Sequence, residues 1–532
     1  MKHGVMNEKN IWKGAWILTF AAIIVKILSA VYRIPYQNIT GDLGFYIYQQ
    51  VYPIASAVFV LSTYGFPVVL SRMLAGEQNE SKQNSILSIS ILGLSLFGGS
   101  VFFILFFCAE LIAELMGDVH LALPIKTASF TFLLMPFLSS FRGFFQANQW
   151  MTPTATSQIA EQSVRVGVIL GLTLILVSNG ANVYEAGAAA AFGSVIGAVT
   201  SVTVLIFYFR KYFHLFQLNQ RYFRRLVRPV LFRLFKQGFL ICVSSLFIVF
   251  LQLIDSFTVL NTLIRSGIEL EQAKVLKGVY DRSLPFIQLG TTLAVSISLT
   301  LVPLITNSVK KRDIDATKRY IYLAYRICSS VGLAAAVGLV AIIGPANRML
   351  YENDSGSTAL AIAGLSIFSY SVVLTSSAVL QGYGDFVSPV LYIAFGCVLK
   401  LLLTVLLSVP FEIIGTALST LIAFTAVAFF MVRKVSHKSK TQLKDLFLFH
   451  KLIIPLFMMA AAVLIYQWLL GQFPLVEEKN RLYWGFIALS GVSIGAIIYL
   501  TTLLRSGYFS ENELALLPLG SKLQGFLRKK GV

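Results

Sequence analysis

The chain has 532 residues, of which 56% are hydrophobic and 13% are charged. Soluble domains carry about 25% charged residues, so this composition excludes a soluble globular enzyme and predicts an integral membrane protein. The net charge of +19 comes from Lys and Arg residues that lie mostly between apolar runs. We therefore expect anionic membrane lipids, and no nucleic acid, as partners of the basic segments.

Fourteen apolar segments are each about 20 residues long, the length that a helix needs to cross the hydrocarbon core. The predicted fold is therefore an all-α, polytopic membrane protein. The spans are expected at 11–33, 46–70, 84–107, 121–142, 156–178, 186–209, 238–261, 283–306, 320–343, 358–381, 388–408, 411–432, 450–470 and 482–504. The pair at 388–432 is the weakest prediction, because only the short segment SVPFE separates its members.

The distribution of Lys and Arg orients these spans. If the N-terminus is cytoplasmic, the segments on the cytoplasmic side contain 30 Lys and Arg residues and the outer segments contain 9. Positive charge is enriched on the cytoplasmic side, so both termini are expected in the cytoplasm and the chain in the cytoplasmic membrane. The longest basic gap, 210–236, mixes cations with Phe, Leu and Tyr, which predicts a segment in the cytoplasmic interface.

Residues of the first half recur in the second half at a nearly constant offset. The pairs, separated by 235 or 236 residues, are Gln146 with Gln381, Pro153 with Pro389, and Arg165 with Lys400. A constant offset is typical of transporters built from a duplicated unit. We expect two pseudo-symmetric six-helix lobes at 1–209 and 237–432, a basic linker at 210–236, and two further helices with a cytoplasmic tail at 433–532.

The fifth span carries a polar stripe. Gln158, Glu161, Gln162 and Arg165 follow at i, i+3, i+4 and i+7, which places them on one helical face. Charged groups at this depth normally face a cavity or the protein interior. Two interpretations are open: the stripe lines a substrate cavity, or Glu161 and Arg165 form a buried, self-neutralised pair that fixes helix packing.

Three further cations are candidates for substrate contact. Lys26 and Arg33 share a face of the first span, and Lys26 lies about 10 Å deeper by helix rise, where snorkelling to the headgroups is difficult. Arg33 lies near the outer edge of the span, so both substrate contact and snorkelling are open. Lys400 matches Arg165 in the repeat, which would give one buried cation to each half.

Other polar residues have weaker signals. Asp255, Asp281 and Arg282 lie toward the outer side of the seventh and eighth spans. Two roles are open for them: they form gating ion pairs, or they are simply solvated groups at the membrane interface. The five His residues have no metal-ligand spacing, and the chain has no phosphate-binding P-loop. We expect no catalytic residue, no metal and no cofactor, and we expect a protein that is not an enzyme.

The stretch RGFFQANQWMTPTATSQIAEQSVR at 142–165 resembles the polysaccharide-exporter branch of the multidrug/oligosaccharidyl-lipid/polysaccharide exporter superfamily. The residues that match are Arg142, Gly143, Gln146, Met151, Pro153, Ser157, Gln158, Glu161, Gln162 and Arg165. The segment at 48–75 also resembles the second span of this family, and the chain is most similar to its stage V sporulation protein B-like and lipid II flippase-like members. It departs from many relatives at Ala147, where they carry Gly.

The resemblance implies two six-helix lobes around a central cationic cavity, and a groove for a lipid tail formed by the spans at 450–470 and 482–504. We predict a flippase that moves an undecaprenyl-pyrophosphate-linked oligosaccharide or peptidoglycan precursor across the membrane by alternating access. Lys26, Arg33, Arg165 and Lys400 are expected to contact phosphate groups. Glu161 would tune Arg165, and a saccharide synthase or polymerase would be a fitting partner.

Two other functions compete with this prediction. A multidrug or small-solute cation antiporter of the same superfamily would require carboxylates in its cavity, but buried cations outnumber buried carboxylates in these spans. A membrane glycosyl transferase or polymerase would require acidic or His residues on a sizeable outer loop. The longest outer loop, 262–283, is short and has no His.

Overall fold

The computed structural model describes residues 8–210, 220–299, 301–472, 480–510 and 513. Part of the predicted basic linker, 211–219, and most of the predicted tail, 514–532, lie outside the described residues. The described residues form helices and no strand, and eleven helical segments among them are long and apolar enough to cross a membrane. The prediction of an all-α, multi-pass membrane protein is confirmed.

The chain divides into two compact units. Unit 1 comprises Met1–Asp281 and Thr404–Glu412, and unit 2 comprises Arg282–Leu403 and Ile413–Val532. The helices before Arg282 are α1 Glu8–Val31, α2 Arg33–Val60, α3 Phe66–Ala75, α4 Glu80–Phe107, α5 Ala109–Leu115, α6 Ala122–Ser129, α7 Thr131–Ala147, α8 Thr152–Ser178, α9 Val183–Phe209, α10 Gln220–Ser245, α11 Phe247–Arg265 and α12 Leu270–Asp281. Those after it are α13 Ser283–Leu299, α14 Val302–Lys310, α15 Ile314–Tyr351, α16 Ser357–Gly382, α17 Val387–Ser439, α18 Leu443–Phe447, α19 Phe449–Gly471 and α20 Arg481–Arg505.

Two helical segments are longer than one span. Phe20–Ala75 covers most of the first two predicted spans, and α17 covers the eleventh and twelfth. Inside α17 the chain bends at Glu412, which has a φ of 49°. The exact number of fourteen spans, like the predicted lobe and linker boundaries, stays a prediction.

The helical run that contains the second predicted span is interrupted twice, once before the span and once inside it. α2 bends at Gly41, whose φ of 68° suits a residue without a Cβ. Gly278 of α12 packs directly against this bend, since a Cβ at Gly278 would lie 2.1 Å from the carbonyl oxygen of Asp42. Farther along, α2 passes through a π-helical turn, Leu61–Gly65, into α3. π-helical turns are rare and often occur at functional sites.

The core of unit 1 includes the close pair formed by α8 and α9. Gly193 and Gly197 are spaced four residues apart on α9, the pattern that lets two helix backbones approach in a membrane. A Cβ at Gly197 would lie 2.7 Å from the carbonyl oxygen of Glu161, and one at Gly193 would lie 2.6 Å from the side chain of Ile169. α9 therefore holds α8 in place through backbone contact.

In unit 2, a cluster built on Leu452, Met459, Tyr499 and Leu503 joins α19 and α20. It also includes the buried Tyr508, whose hydroxyl donates to the carbonyl oxygen of Phe447 at 2.8 Å. The outward surface is different. On α17 the exposed side chains Leu391, Val398 and Leu402 follow one helical face, and soluble proteins rarely expose a large apolar patch of this kind to water.

Candidate functional site

The polar stripe of α8 forms a buried ion network with an arginine from α7. Glu161 accepts from both guanidinium groups: Nη2 of Arg142 lies 2.7 Å from its Oε2, and Nη2 of Arg165 lies 2.6 Å from its Oε1. The side chain of Arg142 is 0% exposed, whereas that of Arg165 is 9% exposed. Glu161 thus does pair with Arg165, as one interpretation of the stripe expected, but it shares its charge with a second arginine. That the stripe lines a substrate cavity stays a prediction.

The guanidinium of Arg142 is held from several sides. It donates to the carbonyl oxygen of Ser62 at 3.2 Å and to the hydroxyl of Thr63 at 3.1 Å, both in the π-helical turn. It also donates to the hydroxyl of Ser201 on α9 at 2.9 Å. Arg142 thus ties α7, α8, α9 and the π-helical turn together.

Arg142 was not among the predicted site residues. It lies at the end of the fourth predicted span, where the positive-inside rule counts it as an ordinary cytoplasmic cation. The signal that could have found it is its place in the 142–165 motif, which begins at this residue and contains both of its ionic neighbours.

The network carries one positive charge in excess, because two arginines share one carboxylate. Arg165 is the more exposed of the two arginines. Its Nη1 donates to Oε1 of Gln162 at 3.3 Å, and its guanidinium lies 5.8 Å from the ring centroid of Phe59. Its Nε has no hydrogen-bond partner among the described residues. Arg165 is therefore the member of the network with donor capacity left for an anion.

Arg33 lies in an aromatic cluster rather than extending to solvent. Its side chain is fully buried, and the guanidinium carbon lies 4.3 Å from the ring centroid of Tyr52. Tyr32, Tyr36 and Tyr48 pack in the same cluster, and the hydroxyls of Tyr32 and Tyr48 are hydrogen-bonded. The snorkelling interpretation of Arg33 is wrong in this structure, because the aromatic rings cover the cation.

Lys26 and Lys400 have different surroundings. Lys26 on α1 is partly buried and makes no hydrogen bond or ion pair with any residue that the structure describes. In unit 2, the ammonium of Lys400 is buried and donates to the hydroxyls of Thr420 and Ser419 at 2.5 and 3.2 Å. Lys26 is thus the more available of the two cations.

The three candidate gating residues are all buried in partly polar surroundings. Asp255 accepts from the hydroxyl of Tyr280 at 3.4 Å. The carboxylate of Asp281 pairs with the ammonium of Lys277 at 2.8 Å, one turn earlier on α12. In unit 2, Arg282 donates to the side-chain oxygen of Asn353 at 2.7 Å and of Asn347 at 3.2 Å. A gating role for these residues stays a prediction.

A second buried network lies where α12 meets the rest of unit 1. The carboxylate of Asp118 accepts from the hydroxyl of Tyr184 at 2.7 Å and lies 3.4 Å from the ammonium of Lys274. Lys274 also donates to Tyr184 at 2.9 Å and to Glu271 at 2.8 Å. Burial lowers the pKa of Lys274, but these partners outweigh it and hold that pKa above its ordinary value. No sequence pattern connects Asp118 and Tyr184 with Lys274, because the three residues are far apart along the chain.

Comparison with known proteins identifies the family of this chain. Residues 11–309 match the family described as polysaccharide biosynthesis protein. The chain belongs to this family. Among its relatives in Bacillus subtilis (strain 168), the uncharacterized membrane protein YabM is 40% identical over 524 residues, covering 98% of this chain and 97% of the relative. Lipid II flippase MurJ is 26% identical over 551 residues, covering 98% and 99%.

Solved structures show the same fold. Lipid II flippase MurJ in an inward closed conformation matches with a TM-score of 0.69 at 17% identity, covering 91% of this chain and 97% of that chain. A multidrug resistance MATE family transporter of the MOP superfamily, in an inward-facing conformation, matches with a TM-score of 0.58 at 11% identity, covering 79% and 96%. The resemblance to the polysaccharide-exporter branch that the 142–165 motif indicated is confirmed for this member of the polysaccharide biosynthesis family.

Proposed function

We propose that this protein is a flippase for an undecaprenyl-pyrophosphate-linked oligosaccharide or peptidoglycan precursor, which it moves across the cytoplasmic membrane by alternating access. The observation that carries the proposal is the buried network of Arg142, Glu161 and Arg165, with one positive charge in excess. A pyrophosphate-linked sugar is anionic and polar, so it cannot cross hydrocarbon alone. The similarity to the lipid II flippase of Bacillus subtilis supports the same substrate class.

The cations divide into two roles in this proposal. Lys26 and Arg165 retain donor capacity and would contact the phosphates, because charge-assisted hydrogen bonds to phosphate are strong and Arg offers two parallel donors. Arg33 and Lys400 are more fully buried. They would contribute positive electrostatic potential within their own units rather than direct hydrogen bonds to the phosphates. Glu161 would set the orientation of Arg165 and limit the excess charge to one.

The orientation and the lipid contacts belong to the same proposal. Both termini would be cytoplasmic, and anionic lipids would contact the N-terminal half of α10. The exposed cations of that helix are Arg221, Arg224, Arg225, Arg228, Arg233 and Lys236. A saccharide synthase or polymerase would supply or consume the transported lipid. No step in this scheme requires the protein to form or break a covalent bond.

A flipping assay in proteoliposomes tests the proposal. The purified full-length chain is reconstituted with a fluorescent undecaprenyl-pyrophosphate-linked disaccharide, and transfer between leaflets is followed with a membrane-impermeant quencher. We expect Lys26→Ala and Arg165→Ala to slow flipping about tenfold or more, because each removes a charge-assisted contact of about 1.5–3 kcal/mol. Lys82→Ala is the matched control, since Lys82 lies near the surface, where it pairs with Glu77 at 3.4 Å and lies 5.9 Å from the ring centroid of Tyr222.

Undiminished flipping by the Lys26 and Arg165 variants would remove these residues from the substrate path. Absence of flipping by the wild-type protein, with efflux of cationic drugs instead, would favour the cation antiporter. The fold match to a MATE family transporter is the observation that keeps this alternative under test. Comparing drug susceptibility of a deletion strain with that of its parent separates the two functions in cells.

A further inference from the structure

A half-open cavity of about 350 Å³ lies in unit 2, and none of the candidate site residues lines it. It is enclosed by the C-terminal turns of α15, the first turn of α16, the end of α19 and the start of α20. Its volume is within the range of small-molecule sites in proteins, which begins at about 300 Å³. The residues that line it are Gly344, Pro345, Arg348, Asp354, Ser357, Gln467, Gly471, Tyr483, Trp484 and Ile487.

One wall of the cavity is fixed by a proline. Pro345 lies inside α15 and has no N–H, so the carbonyl oxygen of Ala341 loses its usual donor one turn earlier. Nε2 of Gln467 on α19 donates to this oxygen at 2.8 Å. The carboxamide is thereby held in one orientation, and among the described residues its Oε1 has no hydrogen-bond donor. Gln467 thus provides a positioned acceptor at the cavity.

Another wall is an ion pair that packs on an indole ring. Nη2 of Arg348 lies 2.6 Å from Oδ2 of Asp354, and the guanidinium carbon of Arg348 lies 4.4 Å from the ring centroid of Trp484. The hydrogen bond from Arg348 holds the pKa of Asp354 below its ordinary value, so the pair stays ionised at neutral pH. The cavity therefore has charged donors and acceptors but no net charge.

These walls fit an uncharged, hydroxyl-rich ligand better than a free anion. A phosphate would compete with Asp354 for Arg348, whereas a sugar ring can accept from Arg348, donate to Asp354 and Gln467, and pack an apolar face on aromatic side chains such as Tyr483. We propose that this cavity binds a sugar ring of the lipid-linked saccharide, as a site separate from the cationic network of unit 1. The inference rests on the proposed function for the identity of the saccharide.

The surroundings of the cavity suit a ligand that is anchored in lipid. Trp468 follows Gln467 directly and is 64% exposed, and Leu482 and Phe486 flank Tyr483 and Trp484 with their side chains also exposed. The polar cavity thus borders an apolar surface of α19 and α20. A sugar bound in the cavity could keep its prenyl chain against that surface.

Native mass spectrometry of the purified full-length chain tests the inference. The probes are farnesyl pyrophosphate, a farnesyl-pyrophosphate-linked N-acetylated disaccharide, and phosphatidylglycerol. The variants are Trp484→Leu and Gln467→Leu. Trp468→Leu is the matched control, because Trp468 does not line the cavity and any contact that it makes with the farnesyl chain is common to both pyrophosphate probes. A thermal unfolding curve for each variant verifies that it is folded.

We expect the wild-type protein to prefer the disaccharide probe over farnesyl pyrophosphate. Trp484→Leu and Gln467→Leu should reduce that preference about tenfold, the effect of losing about 1.4 kcal/mol, and Trp468→Leu should leave it unchanged. Arg165→Ala should weaken both pyrophosphate probes equally, because its proposed partner is the phosphate. If Trp484→Leu fails to fold, the comparison of Gln467→Leu with the wild type still tests the cavity.

Equal preference in all variants, with flipping intact, would overturn the cavity assignment and leave the proposed function standing. Loss of phosphatidylglycerol binding alone in the Trp484 and Gln467 variants would also overturn it, since the cavity would then hold a phospholipid headgroup. Failure of the wild-type protein to retain either pyrophosphate probe would overturn both the cavity assignment and the flippase proposal.

Discussion

At the scale of single residues, the decisive feature is that one carboxylate serves two arginines. Glu161 is almost completely buried, and each of its oxygens accepts from a different guanidinium group. An uncompensated charge inside a membrane protein is costly. The carboxylate therefore has a structural role as well as any role in transport, because without it Arg142 and Arg165 would be two buried like charges.

We expect Glu161→Gln to destabilise the folded protein by about 3–5 kcal/mol, the usual cost of removing one partner from a buried ion pair. The measurement is the unfolding midpoint of the purified chain in detergent, with its free energy from denaturant titration. Glu110→Gln is the matched control, because Glu110 pairs with Lys126 at 2.9 Å on the exposed surface, and it should leave the midpoint unchanged. Equal midpoints for the Glu161 variant and the wild type would show that the network does not hold the helices together.

The sequence predicted part of this network, for a physical reason. Glu161 and Arg165 are one helical turn apart, so helix geometry alone brings them together. Arg142 is on another helix, and its contacts depend on how α7, α8 and the π-helical turn pack. No local pattern encodes that packing. For the same reason, the aromatic cluster around Arg33 could not be anticipated from its position near the end of a span.

At the scale of secondary-structure elements, the close approach of α8 and α9 is what positions the network. Gly197 permits this approach, since a Cβ there would press on the backbone of Glu161 and lie 3.0 Å from the Cβ of Arg165. Hydropathy predicted both helices, because long apolar runs are a strong signal. The π-helical turn was not predicted, since tertiary packing rather than composition stabilises such an irregular turn. The bend at Glu412 falls in the segment SVPFE, which the sequence places between two predicted spans.

We expect Gly197→Ala to destabilise the protein by about 1–3 kcal/mol, the typical cost of inserting a methyl group into a tightly packed interior. Gly171→Ala on α8 is the matched control, because nothing lies within 4 Å of a Cβ built at that position. Thermal unfolding of the two variants beside the wild type gives the comparison. A stable Gly197→Ala protein with normal flipping would mean that α8 and α9 can separate at no cost.

At the scale of the whole molecule, the orientation of the spans is the main prediction still to be tested. The eleven helical segments agree with a polytopic chain, but helices of this kind are compatible with either direction of insertion. Orientation comes only from the uneven distribution of cations, 30 on one side and 9 on the other. That bias is large, and one missing or additional span would reverse every segment after it.

Cysteine accessibility in intact cells tests this orientation. In a chain whose four native Cys residues are replaced by Ala, single Cys residues are placed at Glu110, Asp354, Lys82 and Lys438, and a membrane-impermeant maleimide is added. We expect labelling at positions 110 and 354 in intact cells, and at 82 and 438 only after permeabilisation, because the cation bias places these two in the cytoplasm. The reverse pattern would mean inverted insertion. Labelling of 438 together with 354 in intact cells would instead mean that α16 and α17 hold an even number of spans rather than the three predicted, and the span count would then be wrong between those two positions.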